Sequence, residues 1–297
     1  MKIDAQLVKK LRDRCGAGIL DCKKALEANN GDIDKSIDWL REKGIAKAAT
    51  KADRIAAEGL CNVVSEGNFA VIYELNSETD FVAKNEKFLA LIEKIGKILL
   101  ANKVKSTEEA LKIVSDNKAL SEILLEATSV IGEKITLRRV TLVEKKQDQV
   151  FGVYKHQGGR IVVLSVLSKD EALAKDICLH VAAINPLYLS SKDITPEVIA
   201  KEKDILFKEA QNENKTAAKP KPEQILIKVV EGRLNKYLQE ICLLNQQFVK
   251  NPDLTVENYL KQHNAEVVSF TRLEVGEGIE KAEVDFAAEV MQQVKKG

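Results

Sequence analysis

The chain has few of the residues that chemistry needs. It carries three histidines in 297 residues: His156, His180 and His263. None stands in a metal-ligand spacing such as H-E-x-x-H. There is no G-x-S-x-G elbow, and no cysteine has the local pattern of a known nucleophile family. The five cysteines (Cys15, Cys22, Cys61, Cys178, Cys242) are odd in number, widely spread and never joined as C-x-x-C. That argues against a zinc site or a disulfide framework and fits reduced, cytoplasmic thiols. Aromatics are only 5% of the chain, too few for a platform that stacks single-stranded bases. Neither sign of charge dominates: 46 Lys+Arg face 45 Asp+Glu, a net charge of +1. A protein that coats nucleic acid carries a positive excess, so direct nucleic-acid binding is not expected. No apolar run approaches the roughly 18 residues of a membrane span. Met1-Lys2-Ile3-Asp4 leads into a charged helix, not a signal peptide. Paired carboxylates are common but fall on charged helix faces. The expectation is a cytoplasmic binding or regulatory protein, not an enzyme, with no cofactor and no metal.

What is present is a foldable composition. Hydrophobic residues are 45% and charged residues 31%, typical of globular chains. At 297 residues, two to four structural units are expected. Residues 1–44 read as three short helices. Asp4 caps the first, which carries Leu7, Val8 and Leu11 on one face, and Gly16-Ala17-Gly18 breaks it. The second stops at Asn30-Gly31. Asp32 or Asp34 starts the third, with Ile33, Ile37 and Leu40 inward, and Gly44 is expected to end it. Ile19 and Leu20, at the tip of the first loop, are either core or staple residues or an exposed contact. Residues 45–58 are alanine-rich and read as a helical linker.

Residues 59–145 mix both structures. Leu60–Ser65 and Phe69–Leu75 alternate about Glu66-Gly67-Asn68, a hairpin pattern. A long helix, about Lys84 to Asn102, follows. Lys103–Asn117 is polar. A further helix runs from about Leu120 to Val130, closed by Ile131-Gly132, and Ile135–Val143 is a strand. Its Arg138-Arg139 pair is expected on a solvated face. The order then recurs: strands at Val150–His156 and Arg160–Leu167, and a helix from Asp170 that stops before Asn185-Pro186. Such recurrence signals duplication. The second half occupies 146–193 and 242–275, with a last strand at Glu266–Val275. Between its parts, 194–241 reads as a coiled-coil hairpin arm, with Ile227, Val230, Leu234, Tyr237 (or Leu238) and Ile241 as the seam. Gly276-Glu277-Gly278 lacks the remaining residues of a phosphate loop and reads as a strand-to-helix turn. A C-terminal module, 276–297, closes the chain with a helix from about Asp285 to Lys295. The fold class is α+β. His180, inside a helix, is expected to be a satisfied buried imidazole, and His156 is expected to be exposed.

The chain is organised around Ser77-Glu78-Thr79-Asp80-Phe81-Val82-Ala83-Lys84-Asn85. It joins a strand to the long helix, and Thr79 or Asp80 is placed to cap that helix. Phe81 shares a helical stripe with Phe88, Ile92, Ile95 and Leu99, which reads as core. The alternative is an apolar wedge aimed at a partner. The second half has Leu167-Ser168-Lys169-Asp170 at the matching place, so the fold does not need the aromatic.

Three separated motifs resemble the elongation factor Ts family. The first is Leu11-Arg12 with Gly16-Ala17-Gly18-Ile19-Leu20-Asp21-Cys22-Lys23-Lys24-Ala25-Leu26 and Gly31-Asp32. The second is Thr79-Asp80-Phe81-Val82-Ala83-Lys84-Asn85. The third is Leu273-Glu274-Val275-Gly276-Glu277-Gly278 with Asp285-Phe286-Ala287-Ala288-Glu289-Val290. The family often has two methionines where this chain has Ile19-Leu20, and the apolar character is kept. The resemblance implies an N-terminal domain similar to ubiquitin-associated domains, a core of two related halves with antiparallel sheets, a coiled-coil arm and a C-terminal module. It implies a guanine nucleotide exchange factor for elongation factor Tu. Thr79, Asp80, Phe81 and Val82 would then dislodge the partner's magnesium. Ile19, Leu20, Lys23, Ile131, Gly132 and His156 would be further contacts, and the arm could mediate dimerisation. Phe81 is therefore expected to be an exposed wedge.

Overall fold

Asp4 starts the first helix as its sequence leads one to expect. Its carboxylate accepts from the Gln6 N–H at the head of α1 (Ala5–Cys15). α2 (Ile19–Ala28) follows, then α3 (Ile33–Ala49), where the Asp32 carboxylate accepts from the Lys35 N–H. Leu11, Cys22, Ala25 and Leu26 are buried between the helices, with Ile33, Ile37 and Leu40 packed on them. The computed structural model describes residues 3–217 and 219–280. The expected closing helix, Asp285 to Lys295, lies outside the described residues, as does most of the expected C-terminal module.

β1 (Glu58–Glu66) and β2 (Phe69–Ser77) form the first hairpin, antiparallel from Glu58↔Ser77 to Glu66↔Phe69. Then come α4 (Asp80–Ala83), α5 (Glu86–Ala101), α6 (Thr107–Lys112), the short antiparallel pair β3 (Val114–Ser115) and β4 (Lys118–Ala119), α7 (Leu120–Ile131) and β5 (Thr136–Glu144). β5 runs antiparallel to β2, giving the order β1-β2-β5. The core of this unit joins Tyr73 and Leu75 of the sheet to Phe88, Ile92, Ile95 and Leu99 of α5 and Leu120 of α7. α6 falls in the stretch expected to be merely polar. Its one buried residue is Ala110, so it offers no apolar stripe to read; Ser106 caps it.

Two expectations fail here for packing reasons. α3 does not stop at Gly44 but runs to Ala49, and 50–57 holds turns and extended chain before β1, so 45–58 is not one helix. Gly44 lies where α3 packs on α7. A Cβ there would meet Ser129 Oγ at 2.6 Å, so this glycine serves close approach rather than termination. Nor do Arg138 and Arg139 lie on a solvated face. Tyr73 pairs with Val140 and Glu74 with Arg138, which leaves Arg139 as an extra residue with φ 49°. Such a bulge re-aims side chains that would otherwise point to opposite faces. Both guanidinium groups reach the fully buried Glu74, Arg138 at 3.1 Å and Arg139 at 2.6 Å. Glu74 also accepts from Asn76 Nδ2 at 2.9 Å and from the Gly276 N–H at 2.8 Å. Gly276 has φ +74°, and a Cβ on it would lie 2.2 Å from the Ala57 carbonyl oxygen. Arg139 continues to the Glu277 carboxylate at 2.7 Å. The buried charge is thus paired and fully hydrogen-bonded, as burial of a carboxylate demands. It fastens the 274–277 turn to the sheet.

Contacts divide the chain into two units, one holding the chain up to Glu144, Gln157–Ile161 and the residues from Leu273, the other holding Lys145–His156 and Val162–Arg272. The second is built from β6 (Val150–His156), β7 (Ile161–Leu167), α8 (Glu171–Ile184), α9 (Pro196–Thr216), α10 (Glu223–Ile241), β8 (Gln247–Phe248), β9 (Asn251–Thr255), α11 (Val256–Gln262) and β10 (Val267–Glu274). Its larger sheet has the order β10-β7-β6, and β8 pairs antiparallel with β9. Asp170 caps α8 by accepting from the Ala172 and Leu173 N–H groups. α9 and α10 pack as a hairpin around Ala210, Leu226 and Val230. The seam starts at Leu226, and Ile227 is exposed. Adjacent apolar residues allow either start, and packing on the small Ala210 selects Leu226. His180 is the satisfied buried imidazole expected. Its Nε2 lies 2.9 Å from Gln246 Oε1, and its Nδ1 accepts from the Val249 N–H at 3.3 Å. Among the described residues no helix is long and apolar enough to cross a membrane.

Two outcomes follow. Arg139→Ala leaves Glu74 short of its closest cation, and breaking a buried pair costs about 3 kcal/mol. A urea titration will read this as a lower midpoint. Burial lowers the His180 pKa from 6.5, opposed in part by the Gln246 bond. The unfolded chain therefore takes up a proton below about pH 6.5 that the folded chain refuses, so stability falls as pH drops from there toward the lowered folded value and is flat above. His180→Gln will flatten that slope in urea midpoints taken between pH 7 and 5.

Candidate functional site

Phe81 is 79% exposed. The cause is a break in the helix that the periodicity overlooks. α4 is one turn, closed by Lys84 and Asn85 N–H groups donating to the Phe81 and Val82 carbonyls at 3.2 and 2.9 Å. α5 then starts anew, capped by Asn85, whose side chain accepts from the Lys87 N–H at 2.9 Å. Neither Thr79 nor Asp80 caps the long helix. Val82 and Ala83 are buried in the core, and residues one and two steps earlier on a helix point elsewhere. Phe81 is turned outward because its neighbours are turned inward. Asp80 is half exposed and pairs with Lys84 at 3.3 Å, one turn on.

The backbone beneath this turn is held by a residue that sequence reasoning missed. Glu133 Oε2 accepts from the Glu78 N–H at 3.1 Å and the Thr79 N–H at 2.9 Å, and its Oε1 accepts from Thr79 Oγ1 at 2.6 Å. This explains why Thr79 is the N-cap of α4 by position yet makes no side-chain cap bond. Glu78 answers in kind: its Oε1 accepts from the Lys134 N–H at 2.7 Å, and it pairs with Arg54 at 3.1 Å. Lys134 Nζ donates to the Arg54 carbonyl at 2.8 Å, and Lys51 Nζ donates to the Gly132 carbonyl. Three chain segments are laced together, near 51–54, 78–79 and 132–134. Nothing in the spacing of Glu133 marks this; its one visible cue is its place after the left-handed end of α7 at Gly132, φ 92°.

The structure thus ties Thr79, at the head of the turn carrying Asp80, Phe81 and Val82, to Glu133, the residue that follows Ile131 and Gly132. Ile131 packs partly on the core and Gly132 is exposed. Ile19 and Leu20 begin α2 and are 56% and 74% exposed, which settles against core or staple. Lys23, one turn along, is exposed and lies 3.8 Å from Glu27. Lys87 Nζ donates to the Gly16 carbonyl at 3.1 Å, tying the α1–α2 corner to the start of α5. His156 belongs to the second unit. It is exposed at the end of β6, and its Nδ1 lies 3.3 Å from Tyr154 Oη. Among the described residues no cluster of His, Cys, Asp or Glu could hold a metal. The arrangement is an exposed aromatic beside a carboxylate, on a laced backbone, and it leaves an apolar side chain open to contact.

Glu133→Ala removes three hydrogen bonds to one charged acceptor and leaves two amides unpaired. The expected cost is about 1–3 kcal/mol. Hydrogen exchange will show faster exchange at the Glu78 and Thr79 amides, with the Tyr73 amide in β2 much less affected.

Residues 78–277 match the family model described as Elongation factor TS. The chain is 56% identical over 298 residues to Elongation factor Ts of Acholeplasma laidlawii (strain PG-8A), with 100% of both chains covered. The matched region begins at Glu78, inside the laced turn, and takes in Phe81, Glu133 and the Gly276 turn. The chain belongs to the elongation factor Ts family.

Proposed function

We propose that Phe81 acts as a wedge that enters the G domain of elongation factor Tu near its magnesium site. As a member of its family the chain is a nucleotide exchange factor for that GTPase in translation elongation; it is not an enzyme, and it works in the cytoplasm. The observation that carries the proposal is an exposed phenylalanine on a backbone that Glu133 holds in place. An apolar residue that finds no core in its own chain gains by burial in a partner, about 2–3 kcal/mol for a full Phe side chain. Rigid aromatic anchors commonly dominate such interfaces.

The mechanism needs no covalent step. Asp80 orients the tip, and Thr79 and Val82 support it. Insertion shifts the partner's backbone and loosens its magnesium, one of the largest charges in a nucleotide site. GDP then leaves, and the more abundant GTP enters by mass action. Linkage requires the converse as well: the nucleotide weakens the factor's hold to the same degree. Ile19, Leu20 and Lys23 form a second contact, Ile131 and Gly132 extend the wedge edge, and His156 supplies a contact from the second unit. In this reading residues 1–44 are a domain similar to ubiquitin-associated domains, 45–58 link it to the core, and 59–145 and 146–193 with 242–275 are duplicated halves. The hairpin 194–241 is the arm, where two copies would pair in a dimer, and 276–297 is the C-terminal module.

Release of fluorescent GDP from elongation factor Tu tests the wedge. Phe81→Ala is expected to slow release 10- to 100-fold at a fixed factor concentration, in line with about 2 kcal/mol for an anchor. Asp80→Ala should act in the same direction and less strongly. Wild-type release by both variants would sink the assignment.

A further inference from the structure

Cys15 closes α1 and Cys22 lies in α2, and their sulfurs stand 3.8 Å apart. The family role gives this pair no task. Cys22 is fully buried and also donates to the Ala17 carbonyl at 3.7 Å. Cys15 is half-buried and lines a groove of about 240 Å³ between the end of α1, α3 and α7. The two thiols therefore differ in access: one meets small solutes, the other meets only its neighbour. Cys61, Cys178 and Cys242 are buried, and none of them has a sulfur partner among the described contacts.

We propose that Cys15 and Cys22 are a peroxide-oxidisable dithiol whose disulfide resets the corner carrying Ile19 and Leu20. The chemistry is ordered by access. The Cys15 thiolate attacks one peroxide oxygen, the O–O bond breaks, and hydroxide leaves to become water. The resulting Cys15 sulfenic acid has Cys22 beside it. The Cys22 sulfur attacks the sulfenic sulfur, the S–O bond breaks, and the released hydroxide takes the Cys22 proton as a second water. Two thiols give up two electrons and peroxide accepts them. A thiol or thioredoxin-type reductant reverses the step.

The geometry links oxidation to the contact surface. A disulfide needs its sulfurs about 2.05 Å apart, so a pair at 3.8 Å closes by drawing the head of α2 toward the end of α1. The closed ring contains Gly16, Ala17, Gly18, Ile19, Leu20 and Asp21. Cys22 surrenders its contact with Ala17, and the two exposed apolar side chains move with the helix start. A contact optimised for the reduced corner is weakened. This last step rests on the proposed contact role of Ile19 and Leu20; the oxidation itself does not.

The test uses the full chain. Treat it with hydrogen peroxide, block free thiols and measure intact and peptide masses. The expected product has lost two hydrogens, links the peptides bearing Cys15 and Cys22, and reverts with dithiothreitol; Cys15→Ser abolishes it. Both thiols remaining free to alkylation, or Cys15 going on to sulfinic acid with Cys22 unmodified, would overturn the site. Binding to nucleotide-free elongation factor Tu is then compared for the reduced and oxidised forms. A threefold or greater loss of affinity on oxidation, absent in Cys15→Ser, is expected. Equal affinity overturns the coupling to the corner. A reduced wild-type protein that fails to release GDP would instead count against the exchange mechanism.

Discussion

The wedge role proposed for Phe81 requires a turn beneath it that does not yield, and the Glu133 carboxylate supplies that resistance. A lone turn such as α4 has no stability of its own, because one helical turn fixes several dihedrals for very few hydrogen bonds. Here both oxygens of one charged acceptor are committed to the two amides and the hydroxyl that lead into it. Hydrogen bonds to an ionised acceptor are stronger than neutral ones. From inside, Val82 and Ala83 are seated in the core on the same turn. The outward position of Phe81 is fixed from both sides before any partner arrives, so its ordering adds little to the cost of association.

The first unit uses the same device twice. Glu133 holds the turn after β2, and Glu74 holds the turn after β10. In each case a carboxylate accepts from the backbone of a segment far away in sequence, two N–H groups at Glu133 and one at Glu74. The two differ in depth. Glu74 is fully buried and needs two guanidinium groups, an amide side chain and a glycine N–H to be tolerated there. Glu133 is only partly buried and is satisfied by two backbone amides and one hydroxyl. The depth decides the consequence: loss of the Glu74 cluster threatens the fold, whereas loss of the Glu133 lacing loosens one edge.

These two clusters also mark where the sequence stopped being legible. Interactions that span a few residues were readable. Asp4, Asp32 and Asp170 cap the helices their positions suggest, and the first hairpin turns where Gly67-Asn68 allows. Contacts that depend on distant partners were not. Thr79 has the chemistry of a cap and is diverted by a glutamate 54 residues on, leaving Asn85 to cap α5. Arg138-Arg139 looks like a solvated pair until a bulge aims both at one buried carboxylate. Gly44 looks like a stop until Ser129 is seen against it. The stripe from Phe88 to Leu99 is core as its spacing suggests, but the place of Phe81 on it is an accident of spacing across a break in the helix. For the candidate site, the resemblance supplied the residues, and the structure supplied the reason Phe81 is free.

An exchange factor must also let go, and this limits how apolar a wedge of the kind proposed for Phe81 can be. By linkage, whatever free energy the factor gains on the empty partner beyond the nucleotide-bound one must be overcome when GTP returns. One phenylalanine contributes about 2–3 kcal/mol on full burial, enough to shift a nucleotide's hold by one to two powers of ten. A continuous apolar face many times larger would bind too tightly to be displaced and would be an association hazard while free. In the proposed mechanism the contact is therefore divided. Phe81 is exposed on its own short turn, Ile19 and Leu20 are exposed at the start of α2, and His156 belongs to another unit. Small separate contacts of the proposed kind can form and break in sequence, each with a modest barrier. The rigid lacing under Phe81 fits this scheme, since a weak anchor does most when none of its burial energy is lost to ordering its own support.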